Sequence, residues 1–265
     1  MENELRTKEL KVLGQLKKYI QTDSLFQDLD DLLTDDFLLA FVRGRKYDID
    51  KATKTLHTFI KLRRVDYRDW FQRFLPSYIK HGFDTQIRVQ GVLKQRDPIG
   101  RFVGIDRLGL WDPVRVTPEQ GGMLLLMYGL DALKFEQLQR EGVVIIVDCL
   151  HISLKHAKCL NLSLLRMLAG IYIDSLPVKY KEIHLVNHSV IVDLFLPMIK
   201  MFMSKKLRQR IVIHSSLESL HEAVPKDILP ESLGGPLSDE DAFDSKFEQR
   251  IVDSEEHYIQ LARKW

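Results

Sequence analysis

Long apolar runs are missing from these 265 residues. None approaches the roughly 18 residues that a membrane-spanning helix needs, so a soluble protein with peripheral membrane contact is expected. Cysteine is scarce. Cys149 and Cys159 do not form a C-x-x-C and cannot make a disulfide framework, which fits reduced thiols in the cytoplasm. Charge of one sign is also lacking. Thirty-nine Lys and Arg against 37 Asp and Glu leave a net charge of +2, so the whole molecule is no polyanion binder and nucleic acid is not an expected partner. Any positive field must come from local clustering. The start, "MENELRTKELKVL", is too charged for a signal peptide. Neither a G-x-G-x-x-G after a strand nor a Walker A sequence is present, and G-x-S-x-G is absent. Dinucleotide, nucleotide-phosphate and serine-hydrolase chemistry therefore lack support, and no cofactor is expected.

The composition is that of a globular protein, 45% hydrophobic and 29% charged. The length suffices for one large core, or for one core plus a small helical annex. Residues 1–85 read as helical. Leu10, Leu13, Leu16 and Ile20 keep a three-to-four spacing among lysines, "TDDFLLAFVRGRK" runs from acidic to basic as a helix dipole favours, and "DIDKA" supplies a fresh N-cap. From residue 86 the texture changes. "RFVGIDRLG" alternates like a strand and stops at "WDP"; a helical pattern follows over 118–141, with Met123, Met127, Leu130 and Leu133 near one face. "VVIIVD", "EIHLVN" and "RIVIHS" read as strands separated by helices, which predicts a mainly parallel sheet with crossover helices. "LPESLGG" closes this part. Ser238 and Asp241 then begin a last helix toward Trp265, giving a C-terminal helical extension over 237–265.

Catalytic residues do not assemble. Asp148 ends a strand, where α/β enzymes often keep functional groups, but a strand-end carboxylate that satisfies backbone donors is the plainer reading. His214, Glu218, His221 and Glu222 match no zinc spacing, so a solvated helix face is expected there and no metal. His188-Ser189 lacks an oxyanion hole. The stretch "IVDLFLPMIKMFMSKKLRQRIVIH" is different. Ile191, Phe195, Met198 and Phe202 share one helical face, and Lys205, Lys206, Arg208 and Arg210 follow directly. Methionine suits a wall that accepts varied apolar partners. From the pattern alone, packing on the sheet and an ordinary solvated surface account for these residues as well.

"DDFLLAFVRGRKYDIDKA", "WDP", "IHLVNHSVIVDLF", "MIKMFMSKKLRQRIVIH" and "ILPESLGG" together resemble the CRAL-TRIO family, in order and approximate spacing, over residues 30–236. The resemblance implies an α/β lipid cage with a mainly parallel sheet and a helical lid, preceded by a small all-helical domain, and no covalent chemistry. The implied protein is a cytoplasmic, monomeric carrier. It encloses one small hydrophobic ligand (tocopherol-like, retinoid, other isoprenoid or phospholipid) and exchanges it at phosphoinositide-containing membranes. A phosphoinositide-sensing trafficking adaptor with a regulatory lipid is the alternative. Residues 190–204 resemble the lid, which puts Ile191, Phe195, Met198 and Phe202 at the membrane. By motif, the family's headgroup cleft falls on Arg45, Lys179, Lys181, Lys206 and Arg210. The ligand wall falls on Met127, Val147, Ile152, Leu154, Leu168, Ile171 and Tyr172, with His151, Tyr172 or an ordered water as any polar handle. The chain departs from the family at His151, which replaces a strand-end glycine, at "KMF" around Met201 and at "ESLGG".

Overall fold

In the computed structural model, which describes residues 2–83 and 87–265, four helices open the chain: α1 (Glu2–Thr22), α2 (Asp35–Gly44), α3 (Ile49–Lys61) and α4 (Arg68–Gln72). Thr34 caps α2 by accepting from the Phe37 N–H, and Asp48 caps α3 by accepting from the Lys51 N–H. On α1, Leu13 and Leu16 are buried and Ile20 half-buried as expected, whereas Leu10 is 59% exposed. The helix turns Glu9 inward instead. Its carboxylate takes two hydrogen bonds of 3.0 Å from Arg43 and one of 2.7 Å from Arg140, which fixes the annex against the rest of the molecule.

The sheet has five strands in the order β1 (Gln90–Val92), β2 (Phe102–Arg107), β3 (Val143–Asp148), β4 (Tyr180–Val186) and β5 (Ile211–Ile213). β1 is antiparallel to β2, and the remaining neighbours are parallel. The parallel strands occupy the four segments expected from sequence. β1 carries no such signal because three residues are too few to show alternation.

The helices of this part are α5 (Pro118–Ala132), α6 (Glu136–Glu141), α7 (Leu154–Lys158), α8 (Leu162–Ala169), α9 (Val190–Met201), α10 (Lys205–Arg208) and α11 (Leu217–His221). A π-helical turn, Gly170–Ser175, continues α8. The single helix expected over 118–141 is two, because the chain turns at 133–135 to set Phe135 against Phe102 and Phe247, with ring centroids at 5.5 and 6.0 Å. The last helix is likewise broken, into α12 (Asp239–Ala242), α13 (Ser245–Asp253) and α14 (Glu255–Lys264). These pieces are no loose extension. Phe247, Ile251, Tyr258 and Trp265 are buried in the same continuous core as Leu16, Phe41, Phe59 and Met127. The expected division at residues 85 and 86 lies outside the described residues, and the core itself runs without a break from the annex to the sheet.

The two faces of the sheet have different work. Val103, Ile105, Val144, Ile146 and Val186 pack under Leu220, Val224, Leu229 and Phe243 as a solid second core. The other face is hollow.

Candidate ligand cage and basic cleft

Gly104, Asp106, Ile145, Val147 and Ile183 line the hollow side of β2, β3 and β4. Three chambers of about 80, 210 and 280 Å³ lie over them, and all three have Asp106, Leu125 and Tyr172 in their walls. The 210 Å³ chamber reaches toward Leu108, Trp111 and Leu160; the 280 Å³ chamber is closed by Ile199, Phe202, Met203 and Leu207. Their walls are mostly aliphatic and aromatic, as in sites for hydrophobic molecules.

Three of the residues expected in the ligand wall do line these chambers: Val147, Leu168 and Tyr172. Met127 and Ile171 are fully buried in the core instead. Leu154 is 60% exposed on α7, and Ile152 is half-buried outside the chamber walls. Of the two side chains expected as polar handle, Tyr172 lines the chambers and His151 does not. His151 is exposed, with φ of 66° in the left-handed region where the family's glycine would sit without strain. The Tyr172 hydroxyl already donates to the Gly122 carbonyl.

Asp106 was missed by sequence reasoning. Only its position in "VGIDRL", one carboxylate inside an alternating apolar strand, could have signalled it. Burial away from water pushes its carboxyl up to about 7. Asp148, by contrast, is a tied strand end: it accepts from the Leu150 N–H at 3.0 Å and from Asn187 Nδ2 at 2.9 Å. His214 meets His184 at 2.9 Å, whereas His221 engages the Leu233 carbonyl at 2.8 Å, so the two imidazoles do not converge. Among the described residues no three His, Cys, Asp or Glu side chains gather as metal ligands. The Ser189 hydroxyl is buried without a hydrogen-bond partner, and His188 is exposed, so no His–Ser pair forms.

α9 covers the largest of the three chambers, and its faces are turned about one residue from expectation. Phe202, expected at the membrane, and Ile199 point into the chamber; Ile191, Phe195 and Met198 are half-buried. The outward apolar row is Val190 at 75% exposure, Leu194 at 62% and Met201 at 59%, with Pro197 exposed between them. Pro197 has no N–H to donate, and its solvent-facing place keeps its ring out of the packed side.

The basic residues gather at the amino-terminal ends of the parallel strands. Lys179 immediately precedes β4 and Lys181 lies at its start, Arg210 immediately precedes β5, and Arg140 lies just before β3. Arg210 donates to the Tyr180 carbonyl, and Lys179 Nζ to the Arg140 carbonyl at 3.0 Å. Arg45 arrives from the annex and donates to the Leu176 carbonyl at 2.7 Å and to Thr55 Oγ1 at 2.8 Å. This docking requires Gly44, where an added Cβ would stand 2.0 Å from the Pro177 carbonyl oxygen. Burial, then the positive charges of Lys181 and Lys46, push the Lys179 ammonium down to about 8. Lys181 is half-buried and Lys206, on α10, is exposed; neither makes a hydrogen bond or ion pair among the described residues. The structure therefore brings Arg45, Lys179, Lys181 and Arg210 to one edge, with Lys206 one turn before Arg210.

A family model described as CRAL/TRIO domain matches residues 88–235, the segment that builds the sheet, the chambers and α9. The chain belongs to the CRAL/TRIO family. It is 31% identical over 221 residues to the human protein named alpha-tocopherol transfer protein-like, covering 82% of this chain and 63% of that protein. It is 30% identical over 245 residues to Clavesin-1 of Xenopus laevis, covering 84% of this chain and 72% of that one. The chain thus spans less than two thirds of the length of the human relative. The crystal structure of Sfh5 superposes with a TM-score of 0.59 over 93% of this chain and 98% of its own, at 14% identity, a likeness of fold alone. In this CRAL/TRIO chain no helix among the described residues is long and apolar enough to cross a membrane.

Proposed function

We propose that this chain is a cytoplasmic, monomeric carrier that encloses one hydrophobic molecule, tocopherol-like, retinoid or other lipid, and exchanges it at phosphoinositide-containing membranes. The observation that carries the reading is that α9 is apolar on both sides. Ile199 and Phe202 wall the chamber, while Val190, Leu194 and Met201 meet solvent. A helix that merely covered a core would turn polar residues outward. An outer apolar row beside a basic edge fits a lid that settles on a bilayer while cations hold anionic headgroups, two weak attractions that together give firm but reversible docking. The name of one relative, with its reference to tocopherol transfer, agrees with a hydrophobic cargo.

Lys181 and Lys206 are the cleft residues to reverse, because neither supports a backbone carbonyl as Arg45, Lys179 and Arg210 do. Each basic side chain near an anionic surface contributes about 1 kcal/mol. Lys181→Glu with Lys206→Glu is expected to lower co-sedimentation with phosphoinositide-containing phosphatidylcholine vesicles at least about tenfold. Added salt should weaken wild-type binding in the same assay. Equal binding by variant and wild type would reduce these side chains to ordinary surface.

A further inference from the structure

Asp106 stands at the centre of the hollow face, in the wall of all three chambers. Its surroundings contain hydroxyls that ought to satisfy it, yet each is engaged elsewhere. Tyr128 donates to Glu248 at 3.1 Å, Tyr172 to the Gly122 carbonyl, and Tyr180 to the Tyr172 carbonyl at 3.4 Å. Gln90 is its partner across β1 and β2 and lines two of the chambers, but no hydrogen bond joins the two side chains among the described residues. No Lys, Arg or His among the described residues pairs with it either. A carboxyl group in an apolar chamber without a donor is costly, and folded proteins rarely keep one without a use. Burial holds its proton on to about pH 7, the response of a carboxyl that lacks a partner.

We propose that Asp106 is the polar anchor of the cage, and that the enclosed molecule is a lipid with a hydrogen-bond donor, an alcohol or an amine, rather than a fatty carboxylate. The proposal rests on the carrier reading and adds the chemical class of the cargo. A hydroxyl or ammonium placed against the half-buried Asp106 gives its carboxyl the donor that no side chain among the described residues supplies, while the chain fills the apolar space toward Trp111 or toward Phe202. Above about pH 7, where Asp106 is ionised, a carboxylate in the same place would set like charges together and gain no hydrogen bond.

The test is a matched series on one saturated sixteen-carbon chain: hexadecanol, hexadecylamine, palmitate and methyl palmitate. Binding is read at pH 8 by native mass spectrometry and by the change in tryptophan emission, to which Trp111 contributes from the wall of the 210 Å³ chamber. The wild-type protein is expected to prefer the alcohol or the amine to palmitate and to the methyl ester by about tenfold, the value of one hydrogen bond to a charged group. A preference for the amine over the alcohol assigns an ammonium cargo; the reverse assigns a hydroxyl. Asp106→Leu should erase the advantage of either over the ester. Asp106→Asn, which keeps shape and an acceptor but no charge, should keep the alcohol and release palmitate from exclusion. Equal binding of ester and alcohol by the wild type, or an unchanged ranking in Asp106→Leu, overturns the anchor and leaves the carrier reading standing. Failure of all four lipids to bind overturns both.

Discussion

Asp106 links the chemistry of one residue to the behaviour of the empty cage. Unfolded, its carboxyl loses its proton near 3.8; folded, it keeps the proton to about 7. Between those values the unfolded chain binds fewer protons, so this residue makes stability fall as pH rises from about 4 to 7. Asp106→Asn should flatten that part of the pH profile of urea midpoints, leaving the rest to other groups. A profile identical to wild type would mean that the carboxyl is already satisfied in solution. Sequence reading passed over this residue because it weighed carboxylates at strand ends, where Asp148 sits, and not inside an apolar alternation. Leu10 failed for a related reason. Periodicity places it on the buried stripe of α1, but it cannot know that a charged neighbour, Glu9, finds two arginines within 3.0 Å and turns the helix toward them.

At the scale of elements, the four parallel strands and the lid segment were legible, because β-branched runs and an apolar helix face running from Ile191 to Phe202 are strong local signals. The orientation of α9 was not. Its apolar residues cover most of the circumference, so spacing cannot choose which of two greasy rows faces the sheet. The structure puts Phe202 inside and Leu194 outside, and substitutions should separate the two jobs. Leu194→Asp is expected to leave the melting temperature nearly unchanged and to weaken vesicle binding about ten- to a hundredfold, the value of burying a large apolar side chain. Phe202→Ala should leave vesicle binding largely intact and lose bound lipid faster. If Leu194→Asp binds vesicles like wild type, the outer row does not meet the bilayer. The broken helices at 133–135 and 242–245 escaped notice for a different reason: aromatic packing of Phe135, Phe243 and Phe247 decides those turns, and that packing is tertiary.

For the whole molecule, the basic edge is complete only while the annex is docked, since Arg45 belongs to the annex and Lys179, Lys181 and Arg210 to the sheet. Glu9 holds that arrangement from α1 through Arg43 and Arg140. Burial opposes its charge, but the two guanidiniums prevail and keep its carboxyl below the usual range. Its contribution is thus present above the ordinary carboxylate range and lost as pH falls through the lowered value. Removing one partner of a buried pair costs about 3–5 kcal/mol, but Glu136 still faces both arginines, so Glu9→Ala should lower the urea midpoint at pH 7 by less than that and weaken phosphoinositide-vesicle binding along with it. A drop in stability with full vesicle binding per folded molecule would separate the edge from the docking. The central claim, that the hollow face of the sheet holds one lipid, has a more direct test. Native mass spectrometry after incubation with tocopherol, retinoid and phospholipid panels should show a one-to-one adduct with at least one class. A protein whose mass is unchanged by every panel would contradict it.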